Sequence, residues 1–202
     1  MNLTIIGDVH GKVDKYKEIV DQCDLSICVG DFGFEKEWIW HSKNIDFYWH
    51  QINAGNHDYM PFVTRYEGST KDYSYFPEMN LFTVRGAKSI DHFHRTEGVD
   101  WFANEELSYS EGLVAFDAYV DCRPNIVVSH ECPQSIKLRL FGYPDKTDTN
   151  QLLQAMFDVH QPKLWVFGHY HRSVDAVING TRFVCLNELE TLTIDTECTT
   201  SH

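Results

Sequence analysis

Several features of secreted, membrane-spanning and nucleic-acid-binding proteins are missing from this sequence. No apolar run approaches the roughly 20 residues that a transmembrane helix needs, and the chain begins with Met1-Asn2-Leu3-Thr4-Ile5-Ile6, without a basic signal segment. The cysteines form no CxxC pair, so neither a disulfide framework nor a thiolate metal site is predicted. We therefore expect a reduced, cytoplasmic protein that does not enter the membrane and whose thiols are buried or inert, at Cys23, Cys28, Cys122, Cys132, Cys185 and Cys198.

Positive charge is also scarce. The chain has 17 lysine and arginine residues against 30 aspartate and glutamate residues, which gives a net charge of -13. Because affinity for nucleic acids depends on basic side chains that neutralise phosphates, a nucleic-acid polymer is a disfavoured partner. A small phosphorylated substrate is compatible with this charge, because bound metal ions reverse the sign of a local field. A soluble acidic surface explains most of the charge, and nothing in the composition indicates an oligomeric state.

The order of the predicted elements indicates one α/β domain over residues 1–202. Short apolar runs alternate with helical patterns in the first half of the chain, which is typical of βαβ units in a partly parallel sheet. Asn179-Gly180 is predicted to turn between two strands of a hairpin. Residues 59–80 are expected to be irregular, and residues 136–149 to be a surface loop, with a cap over the site as the alternative. The other predicted strands are 3–6, 25–29, 49–54, 81–84, 125–129, 163–167 and 191–195. Four helices are predicted: one whose apolar face includes Val13, one within residues 34–47, one near residues 108–121, and one that ends at Phe157.

Polar side chains follow five of the predicted strands at the point where each strand ends. In open α/β folds the loops after different strands converge at one edge of the sheet, so these side chains are expected to meet. A polar turn or a hydrogen-bonded core histidine explains any one of them alone, but not all five strand ends together. The clusters are Asp8 with His10, then Asp31, then Asn56-His57-Asp58, then His130, then His169 with His171.

The kinds of side chain in these clusters indicate a metal centre. Imidazole and carboxylate groups without thiolate suit Mn, Fe, Zn or Ni. The set is too large for one ion but suits two, and paired ions about 3.5–4 Å apart can activate a hydroxide and hold the oxygens of a displacement at phosphorus. Asp31 stands alone between the clusters and is the natural bridge between the two ions.

The five clusters and their neighbours resemble the calcineurin-like metallophosphoesterase superfamily, in particular its small bacterial and phage members of phosphodiesterase type. Each motif is weak alone, but the set occurs in the order of the family and spans residues 7 to 171. The resemblance implies a four-layer α/β/β/α sandwich, in which two mixed β-sheets are flanked by helices and the dinuclear site lies at one sheet edge. The motifs are Gly7-Asp8-Val9-His10-Gly11, Gly30-Asp31, Gly55-Asn56-His57-Asp58, Ser129-His130 and Gly168-His169-Tyr170-His171.

The resemblance also implies a role for each residue in a site with two divalent metal ions. Mn is the favoured ion, with Fe, Zn or Ni as alternatives. A metal-bridging hydroxide is expected to attack phosphorus directly, without a covalent intermediate. His57 is the expected proton donor to the leaving oxygen, and Asp58 is expected to accept a hydrogen bond from its ring and orient it. The expected ligands are Asp8, His10 and His171 for one ion, Asn56, His130 and His169 for the other, and Asp31 for both.

Two departures from the protein-phosphatase branch of the superfamily bear on the substrate. That branch has an arginine shortly after the second motif and a glutamate after the third, whereas this chain has Phe32-Gly33-Phe34-Glu35 after Asp31 and ends the third motif with Asp58. The resemblance therefore favours a small phosphodiester, such as a cyclic nucleotide, over a phosphoprotein. The alternatives are a phosphomonoesterase or protein phosphatase, a nuclease acting on DNA ends, and a non-catalytic scaffold of the same fold.

Four arginines are candidates for phosphate contacts, because a guanidinium group matches the geometry of phosphate. A surface or salt-bridged arginine is the simpler interpretation of each, and none is assigned to the site. His92 and His94 alternate as on a strand, and a surface pair is preferred over a third metal site. The four arginines are Arg85, Arg95, Arg139 and Arg172.

Overall fold

The chain is described over residues 2–196 by a computed structural model, and these residues form ten strands and six α-helices. Strands and helices alternate through the first half, as βαβ units require. The strands are β1 (Asn2–Ile6), β2 (Leu25–Cys28), β3 (His50–Ile52), β4 (Tyr73–Phe76), β5 (Leu81–Val84), β6 (Ile126–Ser129), β7 (Leu164–Phe167), β8 (Val174–Ile178), β9 (Thr181–Cys185) and β10 (Thr191–Asp195). The helices are α1 (Val13–Val20), α2 (Glu35–Asn44), α3 (Met60–Val63), α4 (Tyr109–Cys122), α5 (Gln134–Phe141) and α6 (Asp148–Val159).

The strands form two mixed sheets. The first has four strands in the order β10-β1-β2-β3, of which β1, β2 and β3 are parallel and β10 is antiparallel. The second has six strands in the order β4-β5-β6-β7-β9-β8, with four parallel strands in the centre and an antiparallel strand at each edge. Because parallel strands end at the same side of a sheet, the loops after β1, β2 and β3 leave together, and so do the loops after β6 and β7.

Alternate residues along the strands face opposite sides of each sheet and build three apolar cores. Leu3 of β1 and Val128 of β6 lie in the core between the two sheets. Ile6 faces the other way and packs in the cluster that includes Tyr16 of α1, while Val127 packs in the cluster that includes residues of α4, α5 and α6. Burying one such side chain contributes about 1.5–3 kcal/mol, so the strands are firmly held. This layering confirms the predicted four-layer α/β/β/α sandwich.

Hydrogen bonds join the loop ends of the two sheets. The N–H group of Gly86, after β5, donates to the carbonyl oxygen of Ala54, after β3, at 2.9 Å. The N–H group of His169, after β7, donates to Oδ2 of Asp8, after β1, at 3.0 Å. The polar loops of both sheets are therefore held against each other at one edge.

Two segments differ from the prediction. The edge strand β4 lies within residues 59–80, which were expected to be irregular. It lies beside β5 at the edge of the sheet and is partly buried, so its sequence pattern is weak. Helix α5 lies in the segment expected to be a loop; it follows Pro133 and ends at Gly142, which has a φ of 76°, and both residues are typical of helix ends. The predicted hairpin is present, with φ angles of 51° at Asn179 and 86° at Gly180.

Neither a membrane helix nor a disulfide occurs within residues 2–196. No described helix is long and apolar enough to cross a membrane. The five cysteines in this range are free thiols, as predicted, and Cys198 lies outside the described residues. Burial raises the pKa of Cys28 and of Cys132, which makes both thiols unreactive.

Candidate metal centre

The loops after five strands bring their polar residues to one place. These loops follow β1, β2 and β3 of the first sheet and β6 and β7 of the second. A cavity of about 520 Å³ opens above them. Its lining includes the site residues His10, Asp31, Asn56, His57, His169 and His171.

Four side chains form a cluster of metal-type donors at the base of this cavity. One donor atom from each of Asp8, His10, Asp31 and His171 lies within 4.8 Å of the others. Nε2 of His10 lies 2.9 Å from Nε2 of His171, and Nε2 of His171 lies 3.3 Å from Oδ2 of Asp8. Both carboxylates are buried. Two buried carboxylates facing two imidazoles at these distances are well suited to bind a divalent cation.

A second group of donors lies beside this cluster. Both ring nitrogens of His130 and Oδ1 of Asn56 are buried and have no hydrogen-bond partner. Nε2 of His130 lies 3.1 Å from Oδ1 of Asp31 but out of line for a hydrogen bond, and the His169 ring lies 5.1 Å from the His130 ring. An unpaired buried polar atom costs about 1–3 kcal/mol. A cation bound by these atoms would remove that cost, so the residues present fit a metal.

Asp31 and His130 strongly affect each other's protonation. Burial disfavours the charged form of each, but at Asp31 the His130 ring, together with His57 and His10, more than offsets this and holds the pKa of that carboxyl below its usual range. In the same way, the carboxylates of Asp31 and Asp8 outweigh burial and raise the pKa of His130 to about 9. A cation that binds through His130 must therefore displace a proton, as is usual for metal sites with histidine ligands.

The backbone at the donor residues is conformationally strained. His10, Asp31, His169 and His171 have φ angles of 46°, 50°, 68° and 48°. The left-handed region costs a residue other than glycine roughly 1–2 kcal/mol. Such strain concentrates at functional sites, where the surrounding fold imposes it. These conformations indicate that tertiary structure, and not local preference, sets the direction of the donors.

Two positions in the motifs must be glycine because carboxylate oxygens lie close to their Cα atoms. A Cβ atom at Gly168 would lie 2.0 Å from Oδ1 of Asp8, and one at Gly55 would lie 2.3 Å from Oδ1 of Asp31. Neither distance leaves room for a methyl group. The glycines beside the donors therefore allow carboxylates from other loops to reach the centre.

Asp58 does not have the role that the sequence predicted. Its Oδ1 accepts hydrogen bonds from the backbone N–H groups of Phe32 and Gly33 at 2.9 and 3.1 Å and from Nε1 of Trp38 at 3.0 Å, and its Oδ2 accepts one from Gly55 N–H at 2.7 Å. The expected hydrogen bond from the His57 ring is absent, so that prediction is wrong. Four competing donors surround the buried carboxylate, and they make Asp58 the link between the loops after β2 and β3.

His57 lies on the wall of the cavity, next to Arg95. Its backbone N–H donates to Oδ1 of Asp31 at 2.8 Å. Its ring nitrogens Nδ1 and Nε2 lie 3.3 and 3.1 Å from Nη1 and Nη2 of Arg95. Burial lowers the pKa of His57, the charge of Asp31 opposes this, and the charge of Arg95 adds to it. The ring partner of His57 is thus an arginine that sequence reasoning set aside.

The sequence and this geometry agree with one family. The family model described as calcineurin-like phosphoesterase matches residues 1–173. The chain belongs to the calcineurin-like phosphoesterases. This confirms the predicted family, and with it the prediction of a metal-dependent hydrolase acting on phosphoric esters.

Solved structures with the same fold support this placement, whereas no curated protein matches the chain. A phosphopantetheinyl hydrolase from Mycobacterium tuberculosis has a TM-score of 0.58 at 13% identity, with 93% of this chain and 89% of that chain covered. A dimetal phosphatase from Danio rerio has a TM-score of 0.54 at 12% identity, with 94% of this chain and 88% of that chain covered. An archaeal phosphodiesterase has a TM-score of 0.51 at 12% identity, with 98% of this chain and 96% of that chain covered. At such low identity these similarities establish the fold alone.

Two residues behind the centre of this phosphoesterase were missed in the sequence. Nδ2 of Asn56 donates to Oγ of Ser89 at 3.1 Å. Ser89 in turn donates to the buried carboxylate of Glu105, from Oγ at 2.7 Å and from its backbone N–H at 2.6 Å. No local motif marks these contacts, because the partners are 33 and 16 residues apart along the chain.

The other basic residues of this phosphoesterase divide as follows. Arg85 is buried and pairs with Asp72 at 2.8 Å, and Arg139 and Arg172 are exposed, which confirms the simpler interpretation of all three. His92 and His94 are exposed, as predicted for a surface pair, but they lie on a short 3₁₀ helix instead of a strand.

Residues 136–149 contribute to the cavity and are not an ordinary surface loop. Lys137, Tyr143 and Asp145 line the cavity. Lys137 is held by Asp145, with Nζ 2.5 Å from Oδ2, and by Glu131 at 3.5 Å. The interpretation as a surface loop is therefore wrong, because α5 carries this segment to the rim of the site.

Proposed function

We propose that this chain is a dinuclear-metal phosphoesterase that hydrolyses a small phosphorylated compound, with a phosphodiester such as a cyclic nucleotide favoured. The observation that carries the proposal is the cluster of Asp8, His10, Asp31 and His171 at the base of an open cavity. The unpaired donor atoms of Asn56 and His130 beside it support a second ion.

We assign the ligands as two sets that share one carboxylate. When bound, the two divalent ions polarise phosphoryl oxygens and lower the pKa of water at the centre. The donor set contains oxygen and nitrogen without sulfur, which suits Mn and leaves Fe, Zn and Ni as alternatives. The assigned ligands are Asp8, His10 and His171 for one ion, Asn56, His130 and His169 for the other, and Asp31 for both.

We assign His57 as the group that gives a proton to the leaving oxygen. Its ring lines the cavity and lies 5.5 Å from the ring of His10, which belongs to the donor cluster. The contact of its backbone N–H with Asp31 fixes the start of the side chain relative to the metal-binding groups. A proton donor must lie within hydrogen-bond reach of the leaving atom, and the position of His57 beside the donors supports this assignment.

Two observations support a small molecule as the substrate. The cavity volume of about 520 Å³ lies in the range of roughly 300–1,000 Å³ that is usual for small-molecule sites. The net charge of -13 disfavours a nucleic-acid polymer. The preference for a diester over a monoester depends on the third motif ending in Asp58 and on the absence of an arginine after Asp31.

The experiment that tests the proposal compares three substrates in the presence of Mn²⁺. These are bis-p-nitrophenyl phosphate, p-nitrophenyl phosphate and a 2′,3′-cyclic nucleotide. We expect hydrolysis of the diesters to exceed that of the monoester, and we expect Asp31→Asn and His130→Ala to abolish it. Asp175→Asn is the matched control, because Asp175 is an exposed carboxylate paired with Arg182 on β9.

The outcomes separate the alternatives. Turnover of the monoester alone would overturn the preference for a diester. Retention of full Mn²⁺-dependent turnover by Asp31→Asn would exclude the assigned centre. A purified protein that binds no metal in the presence of Mn²⁺ would favour the non-catalytic scaffold. Cleavage of linear duplex DNA at its ends would favour the nuclease.

A further inference from the structure

The guanidinium group of Arg95 is fixed at the wall of the cavity. Its Nε and Nη2 atoms donate to the two carboxylate oxygens of Asp91 at 2.9 and 2.8 Å. Its Nη1 atom donates to the carbonyl oxygen of Asp100 at 3.3 Å. Arg95 is only 16% exposed. The group is therefore held in one orientation before any ligand arrives, which lowers the entropy cost of binding.

Not every N–H group of Arg95 is used in a hydrogen bond to Asp91 or Asp100. A guanidinium group has five N–H bonds, and three of them are used by Asp91 and Asp100. The other two lie on the edge that faces Nδ1 and Nε2 of His57. A neutral imidazole ring has only one acceptor nitrogen, because its other nitrogen carries a hydrogen. At least one N–H group on this edge therefore has no acceptor on His57.

The charges around the cavity distinguish Arg95 from Lys137 as a partner for an anionic ligand. Lys137, which also lines the cavity, is neutralised by Glu131 and Asp145. Arg95 forms its ion pair with Asp91, which is 47% exposed, while the charges of Asp100 and Asp31 act on it from farther away. Lys88 also lines the cavity. A ligand oxygen with a negative charge is the natural acceptor for the free edge of Arg95, because guanidinium groups bind phosphate oxygens with charge-assisted hydrogen bonds.

We propose that Arg95 binds a phosphoryl oxygen of the substrate through an N–H group for which His57 offers no acceptor. Arg95 is then a substrate-binding residue of the reaction. The proposal rests on the proposed function, because it places the phosphoryl group between the donor cluster and His57. Asp91 and the carbonyl group of Asp100 serve to hold the guanidinium group in place.

The test uses the Mn²⁺-loaded protein with Arg95→Ala, Arg95→Lys and a matched control, Arg182→Ala. Arg182 is suitable because it also donates Nε and Nη2 to one carboxylate, Asp175, at 3.0 and 2.6 Å, and both residues are exposed. The measurements are KM and kcat for bis-p-nitrophenyl phosphate, the inhibition constant of inorganic phosphate, and calorimetric binding of inorganic phosphate. Thermal unfolding checks that each variant is folded.

We expect Arg95→Ala to raise KM and the phosphate inhibition constant about tenfold to a hundredfold, which corresponds to loss of a hydrogen bond to a charged group. Arg95→Lys keeps the charge but not the two-donor edge, so an intermediate effect is expected. Added guanidinium ion should restore phosphate affinity to Arg95→Ala. Arg182→Ala should behave as the unchanged protein does.

A different set of results would overturn the proposal. If Arg95 only supports His57, kcat falls in Arg95→Ala while phosphate affinity stays the same. If the unchanged protein hydrolyses none of the substrates, the proposed function fails, but calorimetry still compares phosphate binding with and without Arg95. Equal phosphate binding by the two proteins, or none by the unchanged Mn²⁺-loaded protein, rejects the role of Arg95. If Arg95→Ala does not fold, Arg95→Lys gives the same comparison.

Discussion

The orientation of the Asn56 amide is predicted to depend on Glu105, which does not touch the centre. A carboxylate can only accept hydrogen bonds, so the Ser89 hydroxyl must donate to Glu105. The oxygen of Ser89 must then accept from the Asn56 amide, and this fixes Nδ2 of Asn56 toward Ser89. Oδ1 of Asn56, which has no other partner, is thereby left as the atom available to a cation.

Replacing Glu105 by glutamine removes this directionality with almost no change of volume. The new amide can donate to Ser89, whose hydroxyl can then donate to Asn56. The Asn56 amide would rotate and present its NH₂ group to the cation. Loss of a supporting contact of this kind lowers metal affinity by about 10–100-fold, which is about 1.4–2.8 kcal/mol.

Calorimetric titration of Mn²⁺ into metal-free protein measures this effect without any need for turnover. Glu106→Gln is the matched control, because Glu106 is the next residue but accepts from the backbone and hydroxyl of Thr149 at 2.9 and 3.0 Å. We expect weakened binding of one Mn²⁺ in Glu105→Gln and unchanged binding in Glu106→Gln. Equal Mn²⁺ affinity in the two variants would refute the reasoning.

Three further results are expected, each checked by unfolding measurements. Gly55→Ala should lower the free energy of unfolding by about 1–3 kcal/mol through overpacking against Asp31. Gly112 lies inside α4, and a Cβ atom there would meet Leu152 at an ordinary contact distance of 3.5 Å. Gly112→Ala should therefore raise the free energy of unfolding by about 0.5–1 kcal/mol. Burial, with a smaller effect of the nearby His50 charge, lowers the pKa of His41 to about 3. Below about pH 6.5 the unfolded chain binds a proton at His41 that the folded chain does not, so the free energy of unfolding should fall by about 1.4 kcal/mol per pH unit. This fall should be smaller in His41→Gln. Chelation of metal should lower Tm, and a Mn²⁺ concentration about 100 times Kd should restore about 2.7 kcal/mol.

The chemistry of the site could be predicted from the sequence because it lies at strand ends. Each donor follows a short apolar run, and parallel strands bring such ends together whatever the intervening sequence. Family resemblance added the second sheet and the division of the ligands into two sets. The assignment of seven metal ligands, the number and identity of the ions, and the extent of one domain over residues 1–202 stay predictions.

The contacts that shape the site could not be predicted, because they join residues far apart in sequence. Asp58 follows His57 directly, and the family resemblance implied that the two side chains interact. The fold instead surrounds Asp58 with N–H donors from another loop. Arg95 and Asp91 have the spacing of an ordinary surface ion pair, and nothing local shows that their pair faces His57 across 38 residues.

The rigidity of the donor loops indicates where substrate selection must occur. Two motif glycines leave no space beside the carboxylates, and His10, Asp31 and His171 have left-handed conformations of the kind that a surrounding fold imposes at functional sites. A cavity floor held in this way has little freedom to adapt to different phosphoric esters. It can therefore supply metal chemistry but little discrimination among substrates. Discrimination has to come from the walls of the cavity, which are formed by the segments around Arg95 and Tyr143. The sequence assigned no functional residue to these segments, which explains why the reaction could be predicted in more detail than the substrate.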